Sequence, residues 1–286
     1  MQSMKIFLLG GVAALATVAM LAAADTDKDA AKWDVNNPPG KKRSIDINVS
    51  EGTWMSLDVS PDGKTIAFDL LGDIYTMPIT GGKATNISNG LPWEIQPRFA
   101  PDGKTLAFIS DRQGGDNIWT MNVDGSEKRA ITAEKFRLLN NPTWSADGRY
   151  IAARKHFTTS RSAGTGEIWI YHVLGGNGVQ LVKRSSEAFH KELGEPIFSP
   201  DSLRIYFSKN VTPGDQFIYA QDSNKGLFNI FSYDMQTGKI DTVVSGEGGA
   251  VRPTPSPDGK LMAFVRRDRT KSHLYVKNLN SGKERK

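Results

Sequence analysis

The sequence predicts an all-β protein, a β-propeller built from four-stranded blades and preceded by an export signal. Three observations point there. One short phrase recurs five times, each copy is followed by the same run of strand-like segments, and a proline stands at a fixed distance before four of the copies. Repeats of about 40–45 residues that carry four strands each are propeller blades.

The phrase is Ser60-Pro61-Asp62-Gly63-Lys64, then Ala100-Pro101-Asp102-Gly103-Lys104, Ser145-Ala146-Asp147-Gly148-Arg149, Ser199-Pro200-Asp201-Ser202 and Ser256-Pro257-Asp258-Gly259-Lys260. Its second positions are 40, 45, 54 and 57 residues apart, so the two longer repeats need loop insertions. Proline presets φ for a tight turn, Asp suits the next position, and Gly accepts the positive φ that follows. Each phrase therefore joins two antiparallel strands. The strand after it is apolar or alternating, as in Thr65-Ile66-Ala67-Phe68 or Arg204-Ile205-Tyr206-Phe207. A third strand is rich in aromatic and β-branched residues, as in Asn117-Ile118-Trp119-Thr120-Met121. A glycine turn then leads to a fourth. Ser202 replaces the turn glycine in the fourth copy, and Ala146 replaces the proline in the third.

Pro97, Pro142, Pro196 and Pro253 each lie four residues before the second position of a phrase. Proline donates nothing to a ladder, so it belongs on an edge strand. The first strand of each blade is then the inner edge, lining the channel. Phe68, Phe108, Trp119, Trp169, Phe207, Phe231 and Phe264 recur at matching positions and are read as core between blades.

At the N-terminus, Lys5 precedes an apolar run from Ile6 to Ala24 that closes on Ala22-Ala23-Ala24 and gives way to an acidic stretch. That is a secretory signal. Cleavage after residue 24 leaves no stable membrane span; an uncleaved anchor is the alternative, and export to the periplasm or exterior follows under either. Residues 25–43 read as a linker and 44–286 as the propeller. Asp25, Asp27 and Asp29 open like a calcium loop, but Ala30 and Asn36 stand where Gly and Glu are needed.

The fifth repeat reaches its glycine turn at Ser281-Gly282-Lys283 and has three residues left, so its outer strand is expected to be missing. Residues 44–49 alternate as a strand without a blade of their own. Two arrangements follow: this segment closes a five-bladed ring beside residues 273–279, or a further blade beyond Lys286 makes a six-bladed ring.

Composition excludes several classes of function. There is no cysteine, hence no disulfide and no thiolate metal site. The net charge of +5 is mild and scattered; the densest cluster, Arg266-Arg267-Asp268-Arg269, is interrupted by an acid, and nucleic acid is not an expected partner. The four histidines, His156, His172, His190 and His273, do not pair at metal-ligand spacing. No Gly-x-Ser-x-Gly elbow occurs. No cofactor and no catalytic residue is expected in this chain. The candidate contact site is a polar cluster in the third repeat, Arg154, Lys155, His156 and Arg161 among Thr158, Thr159, Ser160 and Ser162. It is placed in an insertion between the second and third strands, facing a partner domain or an anionic ligand.

The Ser-Pro-Asp-Gly-Lys phrase and the stretch Ser110-Asp111-Arg112-Gln113-Gly114-Gly115-Asp116-Asn117-Ile118-Trp119 resemble TolB-like, WD-related propeller repeats over residues 44–286. Gly52-Thr53-Trp54-Met55-Ser56, Ala152-Ala153-Arg154-Lys155-His156-Phe157 and Gly248-Gly249-Ala250-Val251-Arg252-Pro253 also resemble the propeller that precedes the catalytic barrel of exported amidohydrolase-like proteins. That resemblance implies a non-catalytic propeller that docks a C-terminal hydrolase domain of the same polypeptide or shapes access to it. Two other readings remain: a free-standing periplasmic binding module of the TolB type, and the propeller of a prolyl-oligopeptidase-like peptidase.

Overall fold

Five copies of one antiparallel meander make up a five-bladed β-propeller. The computed structural model describes residues 34–286 except 136–137, 158–164, 187–191, 215–217 and 219. Blade 1 consists of β1 (Leu57–Val59), β2 (Thr65–Leu70), β3 (Asp73–Pro78) and β4 (Thr85–Asn86). Blade 2 consists of β5 (Glu94–Phe99), β6 (Thr105–Ser110), β7 (Asn117–Asn122) and β8 (Arg129–Ala130). Blade 3 consists of β9 (Leu138–Trp144), β10 (Tyr150–Phe157), β11 (Thr165–His172) and β12 (Val179–Val182). Blade 4 consists of β13 (Leu193–Phe198), β14 (Arg204–Asn210), β15 (Phe228–Asp234) and β16 (Ile240–Val244). Blade 5 consists of β17 (Val251–Pro255), β18 (Leu261–Asp268), β19 (Lys271–Asn278) and β20 (Glu284–Arg285). A single 3₁₀ turn at Ser223–Lys225 is the one helical element among the described residues.

The recurring phrase folds as its chemistry requires. In blade 1 the Gly63 N–H donates to Ser60 O at 2.8 Å, and the Ser60 hydroxyl donates to Asp62 Oδ1 at 2.6 Å. The same Ser–Asp bond recurs at Ser145–Asp147, Ser199–Asp201 and Ser256–Asp258. The serine oxygen also accepts the first N–H of the next strand, as from Thr65 at 2.9 Å. The carboxylates of Asp62, Asp201 and Asp258 are held below their usual range, first by the serine hydroxyl. Ser202 takes the glycine's conformation at φ 57°, which an L-residue adopts at a cost.

Stacking of blades makes the core. On each blade one face carries small and β-branched residues, and the face of the next blade carries larger ones. Ala67 and Ile74 of blade 1 meet Leu106, Phe108 and Met121 of blade 2. Ala107 and Ile118 meet Ile151, Ala153 and Tyr171 of blade 3. Ala152 and Ile168 meet Ile205 and Phe207 of blade 4, and Tyr206 and Ile230 meet Met262 and Phe264 of blade 5. Each of the Ile, Leu, Phe and Met side chains among these, fully buried, is worth about 1.5–3 kcal/mol. Among the described residues no apolar cluster joins blade 5 to blade 1.

That gap explains one departure from the sequence reading. Phe108, Phe207, Phe264 and Trp119 are buried, and Trp169 and Phe231 pack partly buried against their clusters. Phe68 is only half-buried and belongs to none, because the face of blade 1 that carries it has no blade against it. Two further expectations are corrected. Blade 5 has its outer strand: Glu284 and Arg285 pair with Lys277 and Val276. Two residues suffice there, as in β4 and β8, and Glu284 is pinned by Arg266 at 2.6 Å. Residues 44–49 form no strand, and Ile45, Ile47 and Val49 are exposed, so this segment does not close the ring.

Candidate functional site

The first strands of successive blades lie against one another around the channel. Four of them break register just before their proline, between Ile95 and Arg98, opposite Ala152 and Arg154, between Gly194 and Ile197, and between Val251 and Thr254. The residue ahead of each proline turns left-handed: Gln96 at φ 58°, Asn141 at 53°, Glu195 at 41° and Arg252 at 58°. A bulge of this kind re-aims a side chain and suits a proline that cannot donate.

The re-aimed groups bond from blade to blade. Asp69 accepts the Gln96 N–H at 2.7 Å and the Ser56 N–H at 2.9 Å. The Asn141 N–H donates to Gln96 Oε1 at 2.6 Å, and the Arg252 N–H donates to Glu195 Oε2 at 3.4 Å. Asp58 accepts the Phe99 N–H at 2.8 Å. Burial pushes the Asp58 carboxyl up, against the pull of the Arg98 charge. Burial likewise lowers the Arg98 guanidinium, while Asp58 and Asp69 raise it and Arg252 lowers it. Arg98 donates to Leu57 O and Pro97 O, both at 2.9 Å. The inner strands thus carry charges of both signs: Glu195 and Arg252 at bulges of blades 4 and 5, Arg98 just past the bulge of blade 2, and Asp58 and Asp69 on the regular strands of blade 1.

Blade 3 supplies the remaining ones from its second strand. Arg154, Lys155 and His156 do not sit in an insertion loop, as the sequence reading placed them. They belong to β10, paired with Ile168, Glu167 and Gly166. Alternation along the strand then parts them. Lys155 faces blade 2, where its Nζ reaches Glu134 Oε1 at 2.6 Å and lies 4.1 Å from the Trp169 ring centre. Arg154 and His156 face the other way, toward blade 4, where the Glu195 charge acts on Arg154. Arg161 and the hydroxyl residues 158–160 and 162 lie outside the described residues.

Arg154 lies across Gly166, its diagonal neighbour on β11 and the partner of His156 in the ladder. A Cβ on that glycine would fall 2.1 Å from Arg154 Nε. Among the described residues, Arg154 Nε and His156 Nε2 are both buried and have no hydrogen-bond partner. The His156 imidazole is pushed down to about 4, by burial first and by the Arg154 charge second. Sequence reasoning found these two residues but missed Gln96, Asn141, Glu195 and Arg252; the proline after each was the available signal. Among the described residues, no three His, Asp or Glu side chains converge on a metal position.

A family model described as the TolB beta propeller domain matches residues 40–158. The protein has a TolB-like β-propeller domain. The Tol-Pal system protein TolB of Francisella tularensis is 25% identical over 229 residues, which are 78% of this chain and 46% of that protein. An uncharacterized peptidase of Bacillus subtilis is 30% identical over 164 residues, 46% of this chain and 25% of the peptidase. The solved structure of a putative TolB from Agrobacterium tumefaciens superposes with a TM-score of 0.61 at 18% identity, covering 80% of this chain and 78% of that one. The last likeness is one of fold. The matched part of this chain spans about half the length of the TolB relative and a quarter of the peptidase.

Proposed function

We propose that this chain is the docking propeller of an exported protein, without catalytic chemistry of its own, and that it holds a protein domain against the end of its channel. The observation that carries the reading is the group of charged side chains there, Arg98, Arg154, Arg252, Asp58 and Glu195, carried on strands rather than on loops. Rigid elements position a contact surface better than loops do. Mixed charge fixes the register of a partner more than it raises raw affinity. The partner proposed is a hydrolase domain of the same polypeptide, of the amidohydrolase-like class that the sequence resembles. The peptidase relative, in which the matched propeller segment is a quarter of the protein, supports a hydrolase partner in general. Signal-like residues 1–24 support export.

The test begins with the reading frame beyond Lys286. The encoded segment is expressed separately, and its affinity for the propeller is measured by calorimetry. Micromolar or tighter binding that weakens at least about tenfold in Arg252→Gln is expected. A reading frame that closes at Lys286, or a downstream domain that does not bind, overturns the hydrolase-docking reading. A His-x-His motif downstream marks the amidohydrolase-like case; a Gly-x-Ser-x-Gly elbow marks the peptidase case.

One specific observation favours a second reading. TolB of Francisella tularensis aligns over 78% of this chain, more than the peptidase does. On that reading the same surface belongs to a free-standing periplasmic module, and the partner is a separate envelope protein.

A further inference from the structure

Residues 44–50 stand where the repeat puts the end of a blade. Each outer strand hands over to the next inner strand through a short connection: residues 87–93 run from β4 to β5, 131–137 from β8 to β9, 183–192 from β12 to β13, and 245–250 from β16 to β17. Residues 50–56 separate the segment 44–49 from β1 by a stretch of the same size. The residue types match as well. Ile87-Ser88, Ile131-Thr132 and Val244-Ser245 stand where an outer strand ends, a β-branched apolar residue followed by a hydroxyl; blade 3 departs with Val182-Lys183. Val49-Ser50 is the same pair. Its task is visible in two blades. The Ile87 N–H donates to Ile74 O at 2.9 Å, and the Ser88 hydroxyl oxygen accepts the Ile74 N–H at 2.7 Å. The Ile131 N–H donates to Ile118 O at 2.8 Å, and Thr132 accepts the Ile118 N–H at 3.0 Å. These bonds fasten the end of an outer strand to the third strand of its own blade, and Ile87 and Ile131 are buried there. Val49 is 59% exposed, with no third strand beside it among the described residues. Ahead of it, exposed Ile45 and Ile47 alternate with Asp46 and Asn48, the period of a strand with one face to bury.

A second observation is independent of that segment. Blade 1 presents Ile66, Phe68 and Met77 half-buried, at the positions where blade 2 carries Leu106, Phe108 and Met121 buried against blade 1. Blade 5 presents Ala263 and Leu274 at the positions where blade 1 carries Ala67 and Ile74 buried against blade 2. Each free face thus keeps the chemistry of a covered one. Among the described residues, β17 packs on β13 and not on β1. A blade of this repeat carries both complementary faces, small and β-branched on one side, larger on the other. One such blade covers blade 5 and blade 1 together, as neighbours do throughout a repeat fold.

We propose that residues 44–50 are the outer strand of a sixth blade, and that its three inner strands come from the same polypeptide, C-terminal to Lys286. The order follows from the repeat. An outer strand always leads into the inner strand of the next blade, so the blade that owns residues 44–49 precedes β1 in the ring. Blade 5 already has its own outer strand, so its open face takes the three strands that come after it. In this arrangement Ile45, Ile47 and Val49 gain a sheet, the Ser50 hydroxyl gains a third-strand N–H to accept, and Phe68 and Leu274 gain cover. Pairing between the two ends of the propeller then fastens the ring. The proposal stands apart from the docking reading above.

The experiment measures amide hydrogen exchange in the polypeptide encoded by the whole reading frame. Residues 44–50 are expected to exchange at least about a hundredfold more slowly than a free peptide of the same sequence, with alternate N–H groups slowest. Val49→Asp should remove that protection while the Ile118 and Ile168 amides stay slow; should that variant not fold, exchange in the unsubstituted protein still decides. In the same polypeptide, Leu274→Ala should lower the urea midpoint as much as Ile230→Ala does, whereas in the chain ending at Lys286 it should scarcely change it. A reading frame that closes at Lys286, or free exchange at residues 44–50, overturns the proposal. So does protection that appears only as protein concentration rises, which would make a second copy the cover. A costly Leu274→Ala together with free exchange at residues 44–50 also overturns it, since blade 5 would then close directly on blade 1.

Discussion

The backbone N–H of Ala146 donates to the Ser202 hydroxyl oxygen, 2.6 Å away, across the junction of blades 3 and 4. These are the residues that replace the phrase proline and the turn glycine. At the two preceding junctions the turn glycine of one blade rests on the phrase proline of the blade before: a Cβ on Gly103 would lie 3.6 Å from Pro61 Cδ, and one on Gly148 4.0 Å from Pro101 Cδ. Proline has no N–H and glycine no hydroxyl, so the usual pair touches without bonding. In the exceptional pair, alanine supplies the donor and serine the acceptor.

The two departures should therefore be coupled. Ala146→Pro removes the donor and is expected to cost about 0.5–1.5 kcal/mol. Ser202→Gly relieves the left-handed φ but loses the acceptor, so it should be nearly neutral. The double variant restores the ordinary turn-on-turn contact. A cycle of urea unfolding measurements should give a coupling of about 1 kcal/mol. Strict additivity would show that the bond contributes nothing.

Lys155 is expected to be structural. Its side chain is 10% exposed and that of Glu134 is 19% exposed, so removing the lysine leaves a carboxylate in a partly buried place. Lys155→Met should cost about 2–3 kcal/mol, and adding Glu134→Gln should recover part of it. Chemical denaturation checks both; a loss below about 0.5 kcal/mol would class the pair with surface ion pairs.

How far the sequence disclosed this site can be argued from blade 3 itself. The phrase and its prolines locate every turn and every first strand, because proline and glycine have few permitted backbone states. The positive φ at Gln96, Asn141, Glu195 and Arg252 was hidden, since none of those residues demands it; the ladder geometry around the proline does. Arg154, Lys155 and His156 look like one polar cluster because they are adjacent. A strand's period of two sends them to opposite faces, and that was legible once β10 was extended to Phe157. The long polar stretch that follows masked its end.

His156 predicts an acid sensitivity with a defined window. Its native value is about 4 and its ordinary one is 6.5, so between these pH values the unfolded state binds more protons. Stability from this group is complete above 6.5, falls as the pH drops, and has been lost by about 4. The turn aspartates act lower: their depressed values make a contribution that is present above 3.8 and lost as the pH falls below it. Melting temperature followed from pH 7 to 4 should decline, and His156→Gln should flatten that decline while leaving the drop at lower pH. An unchanged slope in the variant would assign the sensitivity to other groups.

The unequal junctions give the last prediction. The third-strand residues Ile74, Ile118, Ile168 and Ile230 hold the same place in blades 1 to 4, and each is 0% exposed beneath the following blade. Leu274 holds that place in blade 5 and is 64% exposed. On the facing side of the gap, the stacked pair Phe68 and Tyr75, with ring centres 5.6 Å apart, is half-buried, although the matching pair Phe207 and Phe231 is packed under blade 3. The same chemistry at the same repeat position should therefore count very differently. Ile118→Ala and Ile230→Ala should each cost about 2–5 kcal/mol through lost burial and the cavity left behind. Leu274→Ala should fall within about 0.5 kcal/mol, as for other exposed positions. Unfolding of the three variants under one set of conditions decides it. A loss at Leu274 equal to that at Ile230 would mean that blade 5 is covered in solution, by a face of this protein or of another molecule that packs on it as each blade packs on the one before.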